Sequence, residues 1–398
     1  CDRRQRQMCI RDRTYGSANP LIVIDGVEQP SEQAMAELNA MDANEIQGIS
    51  VLKDASSTAV YGIRGANGVI IVTTRRGQTG APKVNLSMNY GFTSASSLQK
   101  GTSAYEYALM RNEAIRHDQR SFSGTESLST YIYDDYDLWK FRNNRDYTPV
   151  ELDARGDLTA AQKELLKNQP ALYYASRDLY KEMFDRVAPQ MQINLNVSGG
   201  TERVKYFVSF GYFSQQGITT DIRYYDADTG SNFNRYNFRS NFDIQVAKNF
   251  KVSVNVAGQF GKSQGLGSGS DPYDLSARYK GIMQYIYDAN PFISPGMIDG
   301  HLIEGFAGVA GTEQNPLANK TASTIGNQNA IVSLLRAGTN SIFNSLLDNT
   351  IKLEHTMDYL LEGLRVYGTV NYQDNYNRIV KYTPSIPTYT VPVSYTHL

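Results

Sequence analysis

The chain has 398 residues, a formal net charge of −1 and 20% charged residues, which leaves no basic surface for a general nucleic-acid binder. No run approaches the roughly 20 apolar residues of a spanning helix, which excludes helical spans but not a barrel, whose alternating strands score weakly on hydropathy. Aromatic residues reach 11%, with 28 Tyr and 15 Phe, the residue types that membrane barrels place where lipid meets water.

Residues 1–13 are charged, lack the apolar core of a signal peptide, and hold both cysteines, Cys1 and Cys9. Cysteine chemistry therefore plays no part in the body of the chain. The two ends are related. Residues 7–13 (QMCIRDR), written as CAG ATG TGT ATA AGA GAC AGG, have the reverse complement CCT GTC TCT TAT ACA CAT CTG. That translates as PVSYTHL, which is residues 392–398. An inverted repeat at both ends reads as sequencing-adapter DNA. The expectation is a scar at 1–13 and 392–398, with both natural termini absent.

From Asn19 the chain reads NPLIVIDGV, a short β-branched strand closed by Asp25-Gly26, where glycine accepts positive φ. Residues 31–39 have helical character, and 41–44 are turn-like. Residues 45–53 alternate imperfectly and read as a strand. Asp54 is placed to cap a helix of one or two turns over 55–61, which Gly62 stops. Residues 65–68 (GANG) form a tight turn into the buried strand 69–74 (VIIVTT), ended by Arg75, Arg76 and Gly77. The loop YGIRGANG invites a phosphate-binding reading. A P-loop, however, runs strand, loop, helix with a Lys-Ser/Thr pair, and this order is helix, turn, strand.

These residues carry a resemblance. IDGV followed by DANEIQGISVLKDASSTAVYGIRGANGVIIVTTRRG resembles the plug signature of SusC/RagA-type TonB-dependent transporters. It spans Pro20 to Gly80 without an evident gap. Its signature positions here are Asp25, Gly26, Lys53, Asp54, Tyr61, Gly62, Arg64, Gly65 and Gly68. Ile63 and the Arg75-Arg76 pair are conservative departures. Residues 14–80 then read as the C-terminal part of an α+β plug, with the signal sequence, the TonB box and the first part of the plug missing.

Beyond Pro82 the period becomes two. Val84, Leu86, Met88 and Tyr90 face away from Asn85, Ser87 and Asn89. The same alternation returns at 193–197, 204–212, 236–246 and 252–260, more weakly at 347–353, and again at 364–372. A soluble sandwich alternates too. The connections decide between them. Links near 199–203, 247–249 and 358–363 are short, whereas 93–189, 214–232 and 261–340 are long. Strict alternation of short and long is what a barrel with periplasmic turns and extracellular loops requires. The fold expected over 81–391 is mainly β, about seven strands of a partial transmembrane antiparallel barrel. Arg235, Asn237, Arg239, Asn241, Asn255 and Gln259 would face its lumen, to hold the plug or simply to be solvated. The segments 188–217 and 233–259 also look like early barrel strands of SusC-type proteins.

Within the long links, 103–117 and 161–168 read as helices. Tyr105, Tyr107, Trp139, Tyr173 and Tyr174 are candidates for stacking on sugar rings, or for packing the loops. Asp134, Asp135 and Asp137 lack the glycine-centred spacing of a calcium loop. His117, His301, His355 and His397 are scattered without zinc-ligand spacing. No nucleophile elbow, Walker motif or dinucleotide fingerprint occurs in a fitting context, so neither an enzyme nor a cofactor or metal is expected.

The resemblance implies a barrel of about 22 strands filled by the plug, in the outer membrane of a Gram-negative bacterium. It implies import of oligosaccharides or peptides, driven by the TonB complex energised through ExbB and ExbD, under a SusD-like surface lipoprotein. A siderophore or cobalamin receptor shares plug and barrel. A soluble or surface-attached β-rich binding module is the alternative of another class.

Overall fold

The computed structural model describes residues 19–29, 41–121, 135–143, 147–167, 178–184, 187–267, 297–298, 300–307 and 330–392, with isolated positions between them. Cys1, Cys9, Asp134, Tyr173, Tyr174, His397 and both end segments but for Pro392 lie outside them.

Two sheets organise the chain. The smaller has strands β1 (Leu21–Ile24), β2 (Val27–Glu28), β3 (Ile46–Leu52) and β4 (Val69–Thr74) in the order β2-β1-β4-β3. β1 runs parallel to β4 and antiparallel to β2, while β3 runs antiparallel to β4. The central pair is apolar from Leu21 to Ile24 and from Val69 to Val72, where both of its faces are covered, and β4 ends on Thr73 and Thr74. Ile22, Ile24 and Val72 pack with Ala34 on one side, and Leu21, Val23 and Val69 pack with Tyr61 on the other. β3 is an edge strand, and its imperfect alternation leaves Ile49 and Val51 exposed. Between β3 and β4 lie a single turn of helix, α1 (Ala55–Thr58), and a 3-10 stretch over Ala59–Asn67.

The larger sheet is an antiparallel meander of β5 (Gly80–Thr93), β6 (Ala188–Gly200), β7 (Val204–Gln216), β10 (Asn232–Ala247), β11 (Phe250–Leu266), β14 (Thr339–Thr356) and β15 (Arg365–Tyr382). Each pairs with the next, and the sheet is open, with β5 and β15 as its edges. All seven strands expected from period two are present. The weak one around 347–353 is the 18-residue β14, and Leu364 belongs to the turn before β15 rather than to the strand. The strands have 13 to 18 residues, more than the roughly 9–11 needed to cross a bilayer. Links over 201–203, 248–249 and 357–364 are short, and those over 94–187, 217–231 and 267–338 are long. No helix among the described residues is long and apolar enough to cross a membrane.

The long links fold on one another. Among the described residues they contain the hairpin β8 (Arg223–Tyr224) and β9 (Ala227–Asp228), the pair β12 (Met297–Ile298) and β13 (His301–Ala307), and a set of helices. These helices are α2 (Ala104–Ser121), α3 (Asp135–Asn143), α4 (Pro149–Ala154), α5 (Ala160–Lys167), α6 (Leu179–Phe184) and α7 (Ala330–Ala337). α7 is the hub. Leu334 packs with Met183 and Phe184 of α6, while Val332 and Leu335 pack with Tyr224, Leu302 and Ile386.

Candidate functional site

Cross-strand register assigns every wall residue to a face. Leu86, Leu195, Phe210 and Phe238 form one row on the outer face, and Asn85, Asn196, Ser209 and Arg239 form the neighbouring row on the inner face. Burial runs opposite to hydrophobicity. Asn241 is 2% exposed and Ser209 3%, whereas Phe210 is 47% exposed. The plug covers the polar face of the central strands, and the apolar face is left bare.

The plug meets this inner face through short polar side chains. Asp42 caps the 3-10 turn Ala43–Glu45 by accepting from the Asn44 N–H at 2.8 Å, which sets Glu45 against the wall. The Glu45 carboxylate accepts from Arg239 Nε at 3.0 Å and from Ser209 Oγ at 3.1 Å, and both partners of the ion pair are buried. Asp42 itself takes a bond from Gln192 Nε2 at 3.5 Å. Turned so that its amide nitrogen faces Asp42, Asn194 donates to that carboxylate at 2.6 Å and accepts from Asn44 at 2.8 Å.

A second contact lies at the end of β4. Asn241 Nδ2 donates to Thr74 Oγ1 at 3.0 Å and to the Arg75 carbonyl at 2.8 Å. Asp25 sits in the left-handed region, with φ +49°, before Gly26 at +88°. That turn aims its carboxylate back at β4, where it accepts from the Thr74 N–H at 2.9 Å and from Thr74 Oγ1 at 2.5 Å. Arg76 bridges plug and wall, 3.6 Å from Asp25 and 3.3 Å from Asp243. Ser253 and Lys251 also reach Asp243, at 2.6 and 3.3 Å. Gln373 on β15 donates to Gln29 at 3.1 Å. Such an interface is specific yet separable, because every group freed on parting can bond to water.

The comparisons agree with this arrangement. A family model described as the TonB-dependent Receptor Plug Domain matches residues 2–69, a span that takes in most of the segment whose codons read as adapter. TonB-dependent receptor P26 of Formosa agariphila is 29% identical over 245 residues, which cover 61% of this chain and 19% of that protein. TonB-dependent receptor SusC of Bacteroides thetaiotaomicron is 26% identical over 318 residues, 76% of this chain and 26% of that protein. The solved structure of the RagAB peptide transporter superposes with a TM-score of 0.56 at 20% identity, covering 91% of this chain and 35% of that one. Over most of its length the chain is similar to SusC/RagA-like TonB-dependent receptors. It spans about a fifth to a quarter of the length of the curated relatives it matches.

In this SusC/RagA-like chain the signature residues separate into two groups. Asp25 and Gly26 form the turn that holds Thr74 and Arg76, the residues that meet the wall. Lys53, Asp54, Tyr61, Gly62, Arg64, Gly65 and Gly68 surround the crossover between β3 and β4. Asp54 occupies the cap position of α1, but its side chain makes no capping bond. The hydroxyls of Ser57 and Thr58 instead donate back to the Asp54 carbonyl, at 2.9 and 3.2 Å. Gly62 kinks the segment with φ +59°, and Arg64 pairs with Glu28 at 2.6 Å. A Cβ on Gly65 would lie 2.9 Å from the Thr58 carbonyl oxygen, so this crossover is too tight for any side chain there.

Of the six lumen residues expected from sequence, Arg239 and Asn241 bond to the plug, and Asn237 and Asn255 are buried beside them. They are covered rather than solvated. Arg235 instead lies over the Phe213 ring at 5.5 Å, and Gln259 lines a small cavity next to Glu45. Sequence reasoning missed Asp42, Glu45, Thr74 and Asp243 as partners. Their only signal was polarity at plug turns and along the inner face, without any indication of which would meet.

The candidate aromatic platform in the first long link is already occupied. Trp139 stacks on Tyr147 at 3.7 Å, Arg145 covers Trp139 at 5.0 Å, and Arg155 covers Tyr147 at 5.4 Å. Two carboxylates tie down the arginines. Hydrogen bonds from Arg145, and then from Thr148, pull the Glu151 carboxyl to about 2. The bond from Arg155 pulls Asp157 to about 2 as well. Tyr105 and Tyr107 pack on Ala104, Ala108, Tyr133 and Phe141.

Proposed function

We propose that the whole protein is a TonB-dependent importer of oligosaccharides or peptides in the outer membrane of a Gram-negative bacterium, a carrier rather than a catalyst, working beneath a SusD-like surface lipoprotein. Residues 14–80 are the C-terminal part of its plug, 81–391 its first wall strands with extracellular links, and 1–13 and 392–398 adapter-derived. One observation carries this reading: the wall turns its apolar face outward and bonds its polar face to the plug. An outward apolar face needs lipid as its solvent. A plug held by ion pairs and side-chain hydrogen bonds, rather than by apolar packing, can be drawn off the wall by a pull from the periplasm. The TonB complex, energised by ExbB and ExbD, would supply that pull. The likeness to SusC and to the RagAB peptide transporter supports the substrate class. The signature glycines and Arg64 keep the plug crossover folded while its other end is pulled.

The test is a clean deletion of the full gene with complementation, in strains with and without TonB. Uptake of defined oligosaccharides and peptides should fall on deletion and depend on TonB. A defect confined to iron or cobalamin acquisition would assign the siderophore or cobalamin alternative. Recovery of the full-length product from the soluble periplasm without detergent would favour the binding module of the other class.

A further inference from the structure

The inner face carries a second feature, at the end nearest the short turns. A polar cavity of about 330 Å³ opens there between the residues that leave the plug and the first two wall strands. Arg75, Arg76, Lys83, Asn196 and Ser198 are among its lining, and no carboxylate is. Arg76 is offset by Asp25 and Asp243. Arg75 and Lys83 are exposed, and neither forms an ion pair among the described residues.

Both cations are placed by the backbone. The Arg75 N–H donates to the Glu45 carbonyl at 2.8 Å, its carbonyl accepts from Asn241 at 2.8 Å, and its Nε donates to the Ile46 carbonyl at 3.2 Å. The two terminal amino groups of the guanidinium are left over, a fork suited to two oxygens of one anion. Lys83 owes its position to a β-bulge. Gly80 pairs with Gly200 and Lys83 with Ser198, three steps along β5 against two along β6. Without the extra residue Lys83 would stand opposite Val197, on the outer face. Bulges commonly re-aim a side chain next to a site in this way.

We infer that this cavity binds an oxyanion, the carboxylate or phosphate group of a small solute, between the Arg75 guanidinium and the Lys83 ammonium. The amides and hydroxyl around them complete its hydrogen bonds. The volume lies at the lower end of the roughly 300–1,000 Å³ typical of small-molecule sites. The inference goes beyond the import reading and does not depend on it, since a receptor that fails to transport would still bind the anion.

The test uses the full-length receptor purified in detergent, titrated calorimetrically at low ionic strength with inorganic phosphate and, separately, with acetate. Saturable binding of at least one is expected, and which one binds identifies the source of the oxygens. Lys83→Gln should weaken it by about tenfold or more, the loss of one charge-assisted bond. Lys83→Arg should retain it, and Lys248→Gln, in a turn outside the cavity, should leave it unchanged. Arg75→Gln should weaken it similarly, with heat-modifiable gel migration confirming that the barrel is intact. Absence of saturable binding for both anions, or equal affinity in wild type and Lys83→Gln, would overturn the assignment.

Discussion

The two sheets of this chain use the same residue types in opposite ways. In the plug sheet Ile22, Val69 and Val72 are fully buried, as in a water-soluble domain. In the wall Leu86, Val208, Phe210 and Tyr236 of the outer face stay half-exposed or more, while Asn196, Ser209, Asn241 and Arg239 of the inner face are buried. Burial in the plug follows the hydrophobic effect. Burial in the wall follows from a polar partner lying on a polar face, with the opposite face left for lipid. Burial alone therefore does not reveal which solvent a surface was selected for.

The largest expected effect breaks the contact between the sheets. Glu45→Ala or Arg239→Ala leaves the other charge buried and uncompensated, at a cost of about 3–5 kcal/mol. Replacing both, as Glu45→Leu with Arg239→Met, should recover most of it. Denaturant unfolding of the refolded receptor, followed at the plug, measures both; additive single effects would mean that the pair is not coupled.

The outer face offers the next effect. Leu86→Arg places a charge in lipid and should cost about 2–4 kcal/mol near the bilayer midplane, whereas the neighbouring inner Ser87→Arg should be mild. Equal losses of folded barrel at the two positions, read from heat-modifiable gels, would mean that the faces are assigned wrongly. Gly77 tests how closely plug and wall approach. A Cβ there would lie 2.3 Å from the Tyr206 backbone nitrogen. Gly77→Ala should therefore cost about 1–3 kcal/mol through displacement of the plug exit. Protease accessibility of 75–79 should rise with it.

The smallest effect lies outside both sheets. Glu151 and Asp157 have carboxyls held near 2 by their arginines, below the unfolded value of about 4. Their contribution is present above about pH 4 and is lost as pH falls through about 2. Trp139, the sole tryptophan of the chain, sits under Arg145 and reports on this unit. Its emission should be flat from pH 8 to about 5 and shift only below about 4. Glu151→Gln should give the shifted emission already at pH 8 and remove the Glu151 part of the transition, because the amide cannot titrate.

Much of the wall was legible because each strand alternates on its own. Val84, Leu86 and Met88 against Asn85 and Ser87 need no partner to be recognised. β14 was the faintest because Asn344, Ser345, Asp348 and Asn349 put polar residues on both faces in succession, and pairing with β11 and β15 carries it through. At α1 the sequence pointed to an Asp54 carboxylate cap. In so short a helix the Ser57 and Thr58 N–H groups, which a carboxylate cap would use, donate to the Asp54 carbonyl at 3.1 and 3.0 Å, an outcome that residue preference does not resolve.

Local sequence determined the strands, their faces, the tight plug turns and the alternation of short and long links, because each depends on residues adjacent in the chain. Which polar residues of the inner face meet the plug was decided only by tertiary structure. Glu45 and Arg239 are 194 residues apart, and Arg76 and Asp243 are 167 apart. Asn, Ser and Arg at lumen positions look alike whether water or a carboxylate lies opposite. Only the register of seven strands, set by pairing along the whole sheet, brings Arg239 rather than Arg235 to Glu45.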